Sequence, residues 1–157
     1  MTFADLVAAL SKELGMEIET DSDACAVRVG ATGGSSVTVL LQGYDERGAV
    51  LMTADLGAPP PERLEKLFRA LLEANDLFRD TGGATLSLDP DTGNVRLQRF
   101  DALDALSEAG SGKAFLAFID TAAAWAAVIH DFRAAPDDQA ADPAEDLPPS
   151  PASGIFA

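Results

Sequence analysis

The stretch LLEANDLFRDTGGATLSLDPDTGNVRLQR, Leu71 to Arg99, decides how this chain folds. It begins as the end of an amphipathic helix and breaks at Gly82-Gly83, where glycine reaches positive φ at low cost and lets the chain reverse. Ala84-Thr85-Leu86-Ser87-Leu88 then alternates apolar and polar, and so does Val95-Arg96-Leu97-Gln98-Arg99. Between them lies Asp89-Pro90-Asp91-Thr92-Gly93-Asn94, a run of turn-forming residues. Period two on both sides of such a turn predicts an antiparallel hairpin entered directly from a helix.

The same stretch holds two Asp-Thr-Gly triplets, Asp80-Thr81-Gly82 and Asp91-Thr92-Gly93. Aspartic proteolysis needs two carboxylates sharing a proton at close range. Asp80 follows a helix and Asp91 tips a turn, so the hairpin strands place the two acids far apart within one chain, which leaves only a pair made across a dimer axis. A calcium loop starting at Asp89 would need an oxygen ligand at its fifth position, Gly at its sixth and Glu at its twelfth. Here those positions are Gly93, Asn94 and Phe100. The turn therefore reads as one that caps its own backbone. Gly110-Ser111-Gly112-Lys113 departs from a phosphate-binding loop: Ser107 stands for the first Gly, and Ala114 replaces the Ser or Thr that binds magnesium. His130 is the single histidine, with no Cys nearby to make a zinc site, and reads as a helix-surface residue. Cys25 lies in a strand-like run and reads as a small core residue. No catalytic, metal or cofactor constellation emerges, so the chain is expected to be a binding protein and not an enzyme.

Outward from the hairpin, a first helix is predicted over Phe3 to Leu14. Thr2 caps it with Asp5 three residues on, Phe3, Leu6, Val7, Leu10 and Leu14 make one face, and Gly15 ends it. Strands are predicted at Ala24–Val29, Ser36–Gln42 and Ala49–Leu56, with short Gly-rich connections that imply antiparallel hairpins. Pro59, Pro60 and Pro61 halt the third strand and open a second helix, which runs to about Asp76 with Leu64, Leu67, Phe68, Leu71 and Leu72. A last, Ala-rich helix is predicted from Lys113 to Phe132. The order α-β-β-β-α-β-β-α predicts an α+β domain, a twisted antiparallel sheet covered by helices.

The chain has 157 residues, a length for one domain that buries roughly 70% of its unfolded surface. With one cysteine it can form no internal disulfide, which fits a reducing compartment. MTFADLVAALSKELG lacks the basic start and continuous apolar run of a leader or a membrane span. The net charge of −15 repels phosphate backbones and argues against nucleic acid as a partner. From Ala134 the sequence reads AAPDDQAADPAEDLPPSPASGIFA, with five of the nine prolines, five acids and no Lys or Arg. The expected division is therefore a domain over 1–133 and an acidic, Pro-rich flexible tail over 134–157.

Leu71-Leu72-Glu73-Ala74-Asn75, Thr81-Gly82-Gly83-Ala84 and Leu86-Ser87-Leu88-Asp89, in that order, resemble the central signature of class I type III secretion chaperones, the Tir chaperone (CesT/SycE) family. The helix FLAFIDTAAAWAAVI, Phe115 to Ile129, resembles the family's C-terminal helix, and the element order, size and low pI agree with it. The resemblance covers about residues 1–133; the acidic tail departs from the family pattern. It implies a cytoplasmic homodimer in a Gram-negative bacterium. It further implies binding to the extended N-terminal segment of a secreted effector, the secretion ATPase as a further candidate partner, and no cofactor.

Such a protein must show apolar surface and open strand edges to its guest. The residues expected to bind the effector are Phe3, Leu6, Val7, Leu10 and Leu14 on the first helix and Leu86, Leu88, Val95 and Leu97 on the hairpin. The dimer interface is expected on the second helix, at Leu64, Leu67, Phe68, Leu71 and Leu72. The alternative is a generic α+β interaction module, an immunity or regulatory partner, that binds a folded protein.

Overall fold

The computed structural model describes residues 1–30 and 36–134; for Glu108, Ala109 and Ala134 it describes the backbone only. The expected acidic tail beyond Ala134 lies outside the described residues. Helix α1 (Phe3–Leu14) leads into β1 (Ala24–Gly30), β2 (Ser36–Tyr44) and β3 (Ala49–Gly57). A 3-10 turn at Pro61–Arg63 opens α2 (Leu64–Asn75). Strands β4 (Thr85–Leu88) and β5 (Val95–Ala102) follow, then α3 (Leu103–Ala109) and α4 (Ser111–Ala134).

The strands make one antiparallel sheet in the order β1-β2-β3-β5-β4. The first three are joined as consecutive hairpins. The chain then crosses through α2, and β5 pairs with β3, which leaves β4 on the outer edge. The α+β expectation and the predicted element types hold. One element is new: the sequence reading assigned nothing to residues 100–112, where β5 runs on to Ala102 and α3 follows. Helix α3 is short, and what holds it is tertiary: Leu103 and Leu106 are buried, and the Leu103 N–H donates to the Gly48 carbonyl at 2.8 Å. The proline run also starts helix geometry as a 3-10 turn, so α2 proper begins at Leu64.

Local caps match their sequence signals. The Thr2 Oγ1 accepts from the Asp5 N–H, and the Thr2 N–H donates to Asp5 Oδ2 at 2.9 Å, a reciprocal box. These bonds hold the Asp5 carboxyl below the usual carboxylate range. The core lies on one face of the sheet. Phe115, Phe118, Ile119, Ala122, Trp125 and Ile129 form a helix-period stripe on α4 that packs against Val39, Leu41, Val50 and Met52. Helix α4 is long and apolar enough to cross a membrane by length and composition, yet this stripe faces the sheet.

Three polar ties fix α4. The Trp125 Nε1–H donates to the Asp80 carbonyl at 3.0 Å, joining α4 to the Thr-Gly-Gly turn. The Arg99 guanidinium lies over the Phe118 ring, pairs with Asp101 at 2.7 Å and donates to the Ala114 carbonyl. At the helix start, the Glu13 carboxylate accepts from Ser111 Oγ–H and from the Gly112 N–H at 2.6 Å. The Gly-Ser-Gly-Lys segment is therefore an α4 start whose backbone donor is filled by Glu13.

Candidate functional site

Most side chains expected to meet an effector are core. Phe3, Leu6, Val7 and Leu10 are buried in α1, Leu14 is half-buried, and Leu86, Val95 and Leu97 are buried under the hairpin; Leu88 is exposed. In the protomer these side chains, Leu88 apart, fill the space between sheet and helices. The apolar face of α1 is taken up by the core it shares with the sheet, α3 and α4. Phe3 illustrates the fit: a Cβ at Gly43 would come within 2.5 Å of its ring, so the bare glycine makes room for it.

Helix α2 divides in two. Leu67, Ala70, Leu71 and Ala74 face inward and pack toward β4 and the core. Leu64 and Leu72 are exposed, Leu72 at 71%, with Phe68 half-buried between them. Positions 64, 68 and 72 are four apart and stack along one side of the helix. Helix α2 ends at Asn75, and two more apolar residues follow it. Leu77 and Phe78 are both exposed, and both hold φ of 54°, a left-handed conformation that bulky side chains rarely adopt. An expected interface of Leu64, Leu67, Phe68, Leu71 and Leu72 thus splits: Leu67 and Leu71 belong to the protomer core, while Leu64, Phe68 and Leu72 are on its surface.

The two sheet edges differ. At β4 the Asn75 side chain closes the edge, donating through Nδ2 to the Leu86 carbonyl at 2.9 Å and accepting from the Leu86 N–H at 2.8 Å. At β1 the edge is open. The Gly43 N–H donates to the Asp23 carbonyl, which sets the alternation of the β1–β2 ladder. Cys25, Val27 and Val29 therefore bond toward β2, and Ala24, Ala26 and Arg28 turn their backbone groups outward. Ala24 spends its pair on Asp21, at 3.0 and 3.1 Å. Among the described residues Ala26 and Arg28 remain as a free edge, with an exposed Ala26 side chain that poses no obstacle.

Sequence reasoning missed the outer face of the sheet, opposite α1 and α4. Leu40 (46% exposed) lies diagonal to the half-buried Leu51, Leu51 pairs with Phe100 (56% exposed), and the Tyr44 ring stands 5.8 Å from the Phe100 ring. The signal was present as a break in alternation: Val37, Val39 and Leu41 point inward, so Leu40 must point out, and Phe100 shares the outward phase of Arg96 and Gln98.

The Asp-rich turn is structural. Asp89, buried, accepts from Thr92 Oγ1–H at 2.6 Å, from the Asp91 N–H and from Arg96 at 2.6 Å. The Thr92 hydroxyl, then the Asp91 N–H and the Arg96 charge, hold its carboxyl below the usual range against the opposing effect of desolvation. Cys25 is buried, and burial pushes its thiol up, away from thiolate.

An antiparallel sheet with its core helices on one side, one edge capped by Asn75 at Leu86, the other edge open among the described residues, and apolar surface left over defines a protein-binding scaffold. The fold is shared with solved structures of protein complexes. The chain superposes on the structure of the HopA1–SchA chaperone–effector complex with a TM-score of 0.58 and 18% identity, over 85% of this chain and 94% of that one. The ExsC–ExsE complex gives 0.58 and 23%, over 80% and 91%. The ExoT–SpcS complex from Pseudomonas aeruginosa gives 0.51 and 16%, over 79% and 93%. A comparison with curated proteins returned no match. Residues 5–126 match the model of the Tir chaperone protein (CesT) family, and the chain belongs to that family.

Proposed function

We propose that this protein is a type III secretion chaperone. It works as a cytoplasmic homodimer in a Gram-negative bacterium, holds the extended N-terminal region of a secreted effector polypeptide soluble and non-globular, and passes it to the secretion machinery, with the secretion ATPase as the receiving partner. It performs no enzymatic reaction in this role. The observation that carries the reading is an open β1 edge, in a member of the CesT family, on a protomer with unpartnered apolar side chains. An extended guest adds backbone hydrogen bonds at Ala26 and Arg28 and buries apolar side chains worth roughly 1.5–3 kcal/mol each before ordering costs. A disordered guest must offset its chain entropy, and two protomers double the available footprint.

The dimer forms through the outer stripe of α2, Leu64, Phe68 and Leu72. Leu72→Asp is expected to give a folded monomer, whereas Leu71→Asp, which places a charge in the core, is expected to unfold the protomer. Sedimentation with circular dichroism separates the two, and an intact dimer for Leu72→Asp counts against the interface. Client binding is tested by recovering the polypeptide that co-purifies from the native host and titrating its N-terminal fragment against Ala26→Pro. Proline there removes the outward N–H and spares the bonds to β2. A folded Ala26→Pro protein that binds the fragment as tightly as the parent refutes strand addition at β1.

A further inference from the structure

The outer sheet face has no partner among the described residues. Its apolar side chains run as one diagonal across three strands: Leu40 on β2, Leu51 on β3, Phe100 on β5 and Tyr44 back on β2. The core helices lie on the opposite face, and α2 lies at β4. Two of the four, Leu40 and Phe100, expose about half their surface. A patch of this kind in the middle of a sheet marks a docking surface.

We propose that its resting occupant is the chain's own segment around Ile155 and Phe156. This goes beyond client binding and concerns the protein before it meets a client. Three observations point there. The first is where the chain leaves the described structure. Arg133, one residue before the end of α4, donates to the Ala58 carbonyl, so the described end of α4 lies within reach of an arginine side chain from the end of β3. Leu51 lies six residues back along β3 from Gly57, roughly 20 Å at strand rise, and the path from the α4 face to the outer face adds roughly the 10 Å spacing of packed layers.

The second is length. Twenty residues, 135–154, separate Ala134 from Ile155. A coil of that length has an end-to-end distance of roughly 25 Å, and an extended, Pro-rich one reaches roughly 60 Å. The required span therefore falls near the value at which a tether gives its highest effective concentration.

The third is chemistry. Beyond residue 134 the large apolar side chains are Leu147, Ile155 and Phe156, the last two adjacent and among small residues. The intervening Asp137, Asp138, Asp142, Glu145 and Asp146 carry no countercharge of their own. On the receiving face, the Arg28 guanidinium donates to a hydroxyl, Ser36 Oγ, and meets no carboxylate among the described residues. The seated segment acts as a stand-in for the client: it keeps the patch from self-association and yields to a guest with a wider footprint.

The test uses the full chain without any client, so its failure leaves the chaperone reading untouched. A nitroxide is placed at Ser153→Cys; Cys25 is buried and does not compete for the label. The amides of Leu40, Leu51 and Phe100 are expected to lose most of their NMR intensity, while those of Leu71 and Ile129 keep theirs. Adding Ile155→Asp with Phe156→Asp in the labelled chain is expected to restore the lost signals. Broadening spread evenly over the molecule, or surviving the double substitution, overturns the proposal. So does broadening in a mixture of labelled, NMR-silent chain with unlabelled, NMR-visible chain, which would assign the seat to a second copy.

Discussion

Asn75→Ala is expected to loosen the β4 edge selectively. The parent side chain makes two hydrogen bonds to one residue, Leu86, at 2.9 and 2.8 Å in a half-buried position. A protein hydrogen bond contributes roughly 0.5–1.5 kcal/mol net, so the pair is worth about 1–3 kcal/mol. Strand β4 is the outermost strand, and water can reach the Leu86 backbone once the amide is gone, which places the cost in the lower half, about 1–2 kcal/mol. With a urea dependence near 2 kcal/mol per molar, the midpoint should fall by about 0.5–1 M at fixed protomer concentration. The Leu86 amide should exchange faster than those of Val39 and Leu97, whose bonds are unchanged. Asn75→Asp keeps the acceptor for the Leu86 N–H but turns a donor into a carboxylate facing the Leu86 carbonyl, so it should destabilise more at pH 7 than at pH 4. If Asn75→Ala leaves both the midpoint and the Leu86 exchange rate at parent values, the claim that this amide closes the edge is wrong.

Acid should unfold the protein partly through Asp5 and Asp89. Both carboxyls sit below their unfolded values, so their contribution is complete above the unfolded carboxylate pKa of about 4 and is lost as pH falls through the folded values. Urea midpoints measured from pH 6 to pH 2 should fall on the acid side, and Asp89→Asn should lower the midpoint at pH 6 while flattening that fall. Gly43→Ala should cost about 1–3 kcal/mol, because the new Cβ meets the Phe3 ring at 2.5 Å, and Phe3→Leu should recover part of the loss. Gly112→Ala should release Glu13 from the start of α4, since its Cβ would lie 1.9 Å from Glu13 Oε2; thermal melts of Gly112→Ala and Glu13→Gln should shift together and not add.

Several features were legible from residue order because they are set by neighbours a few positions apart. The Thr2–Asp5 box, the Gly15 stop, the alternation around Asp89–Asn94 and the helix period of Phe115 to Ile129 each specify a local geometry, and each appears as read. Alternation within β2 even fixes the phase of every side chain, so that Leu40 had to face away from Val39; Phe100 lies past the predicted end of its strand and takes its outward phase from the continuation of β5 to Ala102. Exposure is a different kind of property. Helix α2 carries two apolar stripes, Leu67-Leu71-Ala74 and Leu64-Phe68-Leu72, and nothing local says which one the body of the protein covers. Packing toward β4 and the core makes that choice, just as contact with α4 and α3 sends Phe3, Leu6, Val7 and Leu10 of α1 inward. The edges follow the same logic. Strands β1 and β4 look equally available as sequences, and only the crossover through α2 brings Asn75 beside Leu86 and leaves Ala26 and Arg28 open. Short-range patterns set what each segment becomes; which surface is left over depends on contacts between residues far apart in the chain, because burial is decided by whichever element arrives to cover it.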